Sequence, residues 1–248
     1  MSRIFSIPVF MTLIGLAACS TPGPGEAPDG IFDPQEQTNR RIHEMNKTID
    51  EKVLRPVGTA IGGGEGGGAM TVVSNFASNL DTPGTIVNQL LQLDFEGAVH
   101  NTWRFVVNTT IGLGGLADPA TMIGLTEDES DFGETLYVWG FPEGEYMELP
   151  VLGPSTERDA TGMVVDLFTN PLSYVLPSPE KYVGTGLKAV AKLGKRGRYA
   201  ELVDGVLYDS ADSYAQSRMT YLQNRRYELG DQAMDTYISP DDIDTEGF

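Results

Sequence analysis

One cysteine in 248 residues, at position 19, is the strongest constraint on this chain. A lone thiol cannot close an intramolecular disulfide or build a thiolate metal cluster, so the fold must be held by burial alone. The cysteine ends a leader, MSRIFSIPVFMTLIGLAACS, in which the single cation Arg3 precedes an apolar run from Ile4 to Leu16 and then small residues. That is the order of a secretory signal, and the run is too short for a bilayer span of ~20 residues. Leu16-Ala17-Ala18-Cys19 resembles a bacterial lipobox, which predicts a signal peptide over 1–18 and a diacylglyceryl group on Cys19. The other reading is an ordinary signal cut after Ala18, which leaves a free thiol. Ser20, where an Asp commonly holds such lipoproteins at the inner membrane, favours the outer membrane.

After the cysteine, residues 19–30 are rich in Pro and Gly and read as a flexible lipidated tether. The folded body is expected over 31–229, and the acidic stretch 230–248 has no pattern that would order it. Lys plus Arg number 17 against 35 Asp plus Glu, a net charge of -18, which removes the basic footprint that nucleic acid requires. It also argues against docking on anionic head groups by charge alone. Apolar residues at 40%, with ten Phe and ten Tyr, exclude a disordered chain.

The patterning is mainly helical. Asp33-Pro34-Gln35-Glu36 reads as a helix start, and Ile42, Met45, Ile49 and Val53 carry the helix to Leu54, where Arg55-Pro56 should stop it. The tract Gly62–Gly68 lacks P-loop register and reads as a linker. Val72–Leu80 and a helix opened by Asp81-Thr82-Pro83 come next. Asp94 is expected to cap a helix over Phe95–Thr110 with Val99, Trp103, Val106 and Val107 facing inward. His100, Asn101, Arg104 and Asn108 break its apolar run, so it is no membrane crossing.

Residues 131–150 look like a hairpin. Thr135–Trp139 is β-prone, Pro142-Glu143-Gly144 is turn chemistry, and Tyr146–Leu149 returns, with Phe132, Leu136, Trp139 and Phe141 as exposed apolar groups. Thr156–Asn170 is helical again. Lys181–Arg198 holds six cations, and Tyr199–Leu229 forms one long helix or two short ones.

No catalytic constellation emerges. His43 and His100 sit on different helices without metal-ligand spacing, no G-x-S-x-G elbow is present, and acid pairs are expected from composition alone. The motif search favours a non-enzyme and nominates no metal or cofactor site.

Several long segments, taken in order, carry a resemblance. DPQEQTNRRIHEMNKTIDEKVLRP, SNFASNLDTPGTIVNQLLQ, RFVVNTTIGLGGLADPAT, DFGETLYVWG and LPVLGPSTERDATGMVVD are similar to the MlaA (VacJ) phospholipid-transport lipoproteins, from about residue 33 to 229. The resemblance implies a single ring-shaped helical domain with an amphipathic channel and a short hairpin loop, set in the inner leaflet of the outer membrane beside a trimeric porin. It implies removal of phospholipid misplaced in the outer leaflet and delivery to a soluble periplasmic lipid-binding protein, which maintains lipid asymmetry. It also implies a gating hairpin, here Phe132, Gly133 and Leu136 at its base with Gly140 and Gly144 at its turn. Trp103, Arg104 and Asn108 are the candidate channel lining. A porin-associated assembly lipoprotein that carries no lipid is the alternative. The chain departs from the family pattern at the glycine tract and in the long basic segment 181–198, whose cations either face solvent or contact lipid phosphate.

Overall fold

The computed structural model describes residues 21–23, 25–27, 30–62, 67–178 and 182–230. The leader with Cys19, the middle of the glycine tract, Lys181 and the acidic tail from Asp231 lie outside the described residues.

Helix α1 (Glu36–Ile49) starts later than the Asp33 signal suggests, and its N-cap residue Gln35 makes no side-chain cap. The Asp33 carboxylate is drawn elsewhere: it accepts from Asn39, from the Tyr214 hydroxyl and from Arg218. The expected stop at Arg55-Pro56 is absent. A π-turn (Asp50–Leu54) leads directly into α2 (Arg55–Gly62). The Arg55 N–H reaches back five residues to the Asp50 carbonyl just before Pro56 enters. The proline falls in the first turn of α2, where its missing donor costs little.

A single helix, α3 (Gly67–Leu91), runs through Pro83, in place of the two expected. Helices α4 (Phe95–Thr110) and α9 (Val183–Arg198) both pack along α3, so tertiary contact outweighs one lost backbone bond. The Thr82 hydroxyl also donates to the Ser78 carbonyl inside that turn, at 2.9 Å.

Side-chain caps set most other boundaries. Asp94, Asp118, Asp131, Thr156 and Asp212 each accept a backbone N–H three residues on. They open α4, α5 (Pro119–Met122), α6 (Phe132–Val138), α7 (Glu157–Thr169) and α11 (Ser213–Glu228). Two short helices, α8 (Leu172–Val175) and α10 (Ala200–Leu207), complete the set. The stretch after Tyr199 is therefore two helices.

The expected strand over 135–139 is corrected to helix α6. Asp131 and Glu134 stand in capping-box spacing, and that local bond outvotes the β-prone Thr135, Tyr137 and Val138. A hairpin does exist, with β1 (Tyr146–Leu149) antiparallel to β2 (Gly153–Thr156) and Tyr146 opposite Thr156. Its turn holds Val151 at φ +67, a costly angle for a β-branched residue. Asn46 of α1 stabilises the turn, accepting from Val151 N–H and donating to the Leu149 carbonyl.

The apolar core is small: Tyr146, Tyr214 and Leu222, with Ile31 and Tyr221 against them. Elsewhere helices meet backbone to backbone through glycine. Gly58 and Gly62 of α2 face Gly194 and Gly197 of α9 so closely that a Cβ on Gly58 would lie 2.7 Å from the Leu193 carbonyl. Small residues four apart on α2 and three apart on α9 allow this approach, a device common where water supplies no hydrophobic drive between helices. Arg196 clamps the joint, donating from Nε and Nη2 to the two oxygens of Asp50, each at 2.7 Å.

This packing predicts opposite outcomes for two alanine substitutions in α9. A Cβ at Gly197 would collide with the Gly58 carbonyl, whereas Gly186 faces open space. Gly197→Ala is expected to lose about 1–3 kcal/mol in chemical denaturation followed by circular dichroism. Gly186→Ala should be neutral or gain up to about 1 kcal/mol.

Candidate functional site

Helices α3, α4 and α9, the segment 118–134 and the end of α11 surround an open cavity of about 830 Å³. Most of its lining residues are polar, although their apolar stems and Ala77, Ala191 and Leu229 give the wall as much apolar as polar surface. Helix α4 supplies Asn101, Arg104 and Asn108, all buried. Arg104 donates through Nη1 to Thr121 Oγ1 at 3.0 Å and to the Leu125 carbonyl, and through Nη2 to Asp118 at 3.2 Å. Asn108 donates to the other Asp118 oxygen at 2.9 Å and accepts from Ala120 N–H. Burial works to raise the Asp118 pKa, but bonds from Thr121 and Asn108 and the Arg104 charge hold it below the ordinary value. Asn101 bridges the Gln89 side chain at 3.0 Å and the Asp128 carbonyl at 2.8 Å. Such a network costs little in an apolar setting only when nearly every group is paired, as here.

The lining carries both signs of charge. Lys188, Lys192 and Lys195 share one face of α9 by their four- and three-residue spacing. Glu127, Asp128, Glu129, Asp131 and Glu134 line the same cavity. Lys188 pairs with Asp81 of α3. Burial, then the Glu127 charge, raises the Glu129 carboxyl pKa, and Lys195 opposes the rise. Burial also raises Glu134; the Ser130 hydrogen bond opposes that and the Asp131 charge adds to it.

Arg225 closes the end of the cavity. It donates to Asp131 at 2.7 Å and to Asp159 at 3.1 Å, and the Tyr221 hydroxyl donates to Asp159 at 2.5 Å. Burial pushes Asp159 upward, yet the Arg225 charge and the Tyr221 bond leave it below the ordinary carboxylate value.

The outer surface carries the opposite character. On α4, Trp103 is 58% exposed beside Arg104 at 4%. Val99 and Val106 are exposed too and only Val107 is half-buried, so three of the four residues expected inward face out while the polar residues face in. Trp103 is accordingly not part of the cavity wall, whereas Arg104 and Asn108 are. Met163, Val164, Leu167 and Phe168 of α7 and Ile111, Leu113, Met122 and Ile123 beyond α4 extend the apolar exterior. So large an exposed apolar surface marks a membrane or protein contact. Among the described residues no helix is long and apolar enough to cross a bilayer.

The hairpin and histidine candidates lie apart from the cavity lining. Phe132, Gly133 and Leu136 sit on α6, and a Cβ on Gly133 would stand 2.6 Å from Asp159 Oδ1. This places them in tight helix packing against α7, not at the base of a hairpin. Gly140 and Gly144 have φ of +85 and +77 in the loop after α6. That loop is tied down by Glu143, which accepts from Arg226 Nε at 3.0 Å and Nη2 at 2.7 Å. His43 shares a 3.0 Å hydrogen bond with Ser213 and lies 3.5 Å from Glu148. These three are buried outside the cavity. His100 meets the Thr126 carbonyl at 2.7 Å, and among the described residues no cluster could hold a metal ion. Sequence reading misses the lining from Asp118, the 127–134 segment and Arg225. Only the repeated acids at 127–134 signal it, and in so acidic a chain composition alone accounts for such a run.

Comparison with known proteins gives a consistent set of likenesses. The family model described as MlaA lipoprotein matches residues 31–228. An uncharacterized protein of Rickettsia conorii is 35% identical over 76% of this chain and 74% of its own length. The intermembrane phospholipid transport system lipoprotein MlaA of Escherichia coli is 33% identical over 86% of this chain and 83% of that protein. Its Haemophilus influenzae namesake is 30% identical over 94% of both. A solved structure described as the structural basis for maintenance of bacterial outer membrane lipid asymmetry aligns with TM-score 0.68. It is 33% identical and covers 79% of this chain and 98% of that one.

The Arg225 site generates a pH-dependent prediction. With Asp159 depressed, the pair's stabilisation is complete above the unfolded carboxylate value of about 4 and fades as the pH falls below it. Arg225→Met strands a buried carboxylate and is expected to cost about 3–5 kcal/mol at pH 7. Without its partner, burial drives Asp159 upward, so the deficit should shrink by pH 4 as the carboxyl protonates. Chemical denaturation at the two pH values checks this; an equal deficit at both would contradict it.

Proposed function

The chain belongs to the MlaA lipoprotein family, and on that footing we propose that it removes misplaced phospholipid from the outer leaflet of the outer membrane and passes it to a periplasmic lipid-binding protein. The observation that carries this reading is the inverted polarity of the body: a polar cavity enclosed by helices whose apolar stripes face outward. A phospholipid leaving one leaflet must take a charged head group through hydrocarbon, where an unpaired charge costs at least several kcal/mol. Arg104, Asn108 and the α9 lysines offer that head a hydrated, hydrogen-bonding route. The apolar outer faces of α4 and α7 keep the tails and the surrounding bilayer in apolar contact.

Acylation of Cys19 would hold the body at the membrane despite its net negative charge, and a trimeric porin is a fitting neighbour for the exposed belt. In this reading the lipid is transferred whole, without bond cleavage. Control of the opening belongs in this reading to the loop between Gly140 and Gly144, released when the Glu143–Arg226 pair parts. A β-branched residue at either glycine would add backbone strain of about 1–2 kcal/mol, so such a variant reports strain as well as gating.

The experiment is a deletion strain scored for outer-leaflet phospholipid. Wild type is expected to restore asymmetry, and Cys19→Ala to fail. Thr85→Trp, which fills the cavity from α3, should fold and reach the membrane yet leave surface phospholipid high. Full complementation by a folded Thr85→Trp protein would overturn the conduit and favour a porin-assembly role.

A further inference from the structure

The cavity wall is not evenly charged, and on the conduit reading, on which this inference rests, the imbalance bears on which phospholipid it takes. Much of the lining neutralises itself. Arg104 pairs with Asp118, Lys188 with Asp81, and Arg225 with Asp131 and Glu228. Two lysines, Lys192 and Lys195, remain on the α9 wall with no hydrogen bond or ion pair among the described residues. Four carboxylates of the same lining also remain without an ion pair, Glu129 among them feeling the Lys195 charge. Glu127, Asp128 and Glu134 accept only from the neutral side-chain donors Ser78, Gln89 and Ser130, and Glu129 has no side-chain hydrogen bond among the described residues.

We propose that this arrangement selects zwitterionic, amine-bearing phospholipids over anionic ones, Lys192 and Lys195 meeting the phosphate and the Glu127–Glu129 wall meeting the head-group ammonium. A phosphoethanolamine head carries both charges on one short unit and can engage both walls at once. A phosphoglycerol head brings the same phosphate but an uncharged diol, which leaves the acidic wall unanswered. Its net negative charge also enters a lining whose unneutralised groups are themselves net negative, and like charges repel. Four carboxylates against two ammonium groups, with no further described side chain to balance them, favour a ligand that brings a cation of its own.

The test uses the full-length lipoprotein equilibrated with vesicles of phosphatidylethanolamine and phosphatidylglycerol in equal parts. The protein is repurified and its bound lipid quantified by mass spectrometry. Wild type is expected to return phosphatidylethanolamine enriched about three- to tenfold, the span of one or two partly screened charge contacts. Enrichment should fall as salt is raised. Glu127→Gln with Glu129→Gln should bring the bound ratio toward that of the vesicles. Lys192→Gln with Lys195→Gln should lower total bound lipid of both kinds. Wild-type protein carrying the two lipids in the supplied ratio would overturn selection and leave the conduit standing; protein carrying none would overturn both.

Discussion

Asn101, Arg104 and Asn108 lie along one side of α4, each with its side-chain donors directed to acceptors inside the body. Val99, Trp103 and Val106 lie along the other side with nothing described over them. An exposed apolar stripe of this size calls for an apolar cover, whether a membrane or a protein surface. In water the exposed stripe would be a standing penalty at roughly 25 cal/mol per Å², and in hydrocarbon that penalty vanishes. The polar side then has no solvent to turn to and must be satisfied within. The rest of the architecture answers that demand: loops folded back to offer carbonyls at Leu125 and Asp128, and a short capped helix at Pro119 whose Asp118 receives both Arg104 and Asn108.

The same constraint explains what joins the helices. With little apolar area to bury between them, α2 and α9 gain contact by bringing backbones together at Gly58, Gly62, Gly194 and Gly197. Ion pairs fix the register. Arg196 joins Asp50 to Asp204, and Arg218 with Tyr214 holds Asp33, partners 146 and 185 residues apart for the two arginine contacts. Pairs of this kind add little net stability beyond an apolar equivalent, but losing one partner leaves a buried charge, so they penalise other arrangements more than they favour this one. The small apolar cluster at Tyr146, Tyr214 and Leu222 lies where β1 and α11 meet, the part of the molecule built like an ordinary water-soluble domain.

Helix positions are readable in the sequence because capping is local. Asp94 before Phe95 and Thr156 before Glu157 announce their helices through a bond made within four residues. The orientation of α4 is not readable, because an amphipathic stripe is assigned inward on the premise that water lies outside. The period is right and the sign is reversed. Pro83 misleads for a related reason: its local cost is real, but packing against α4 and α9 decides, and packing is not written in any short window. At 131–139 a cap signal competes with β-propensity, and the bond made within the first turn wins. The cavity is only half legible. Arg104 and Asn108 stand out as polar residues in an apolar helix, whereas Asp118, Arg225 and the α9 lysines reach it from 10 to about 120 residues away along the chain.

Once the interior is sorted by whether its charges are already matched, the molecule separates into scaffold and passage. Asp118 and Asp159 are held below their ordinary pKa by partners that never leave them, and they keep the walls in place. Glu129 and Glu134 are held above theirs, because burial and like charge act on them and no described group supplies a full counter-charge. Raised carboxylates gathered in a cleft are a recurrent feature of binding surfaces. Lys192 is the complementary case, a cation on the cavity wall without a partner among the described residues. A fold that satisfies Asn101 through two bonds and Arg104 through three, and leaves these few groups unmatched around one hollow, concentrates its unpaired charge at that cavity.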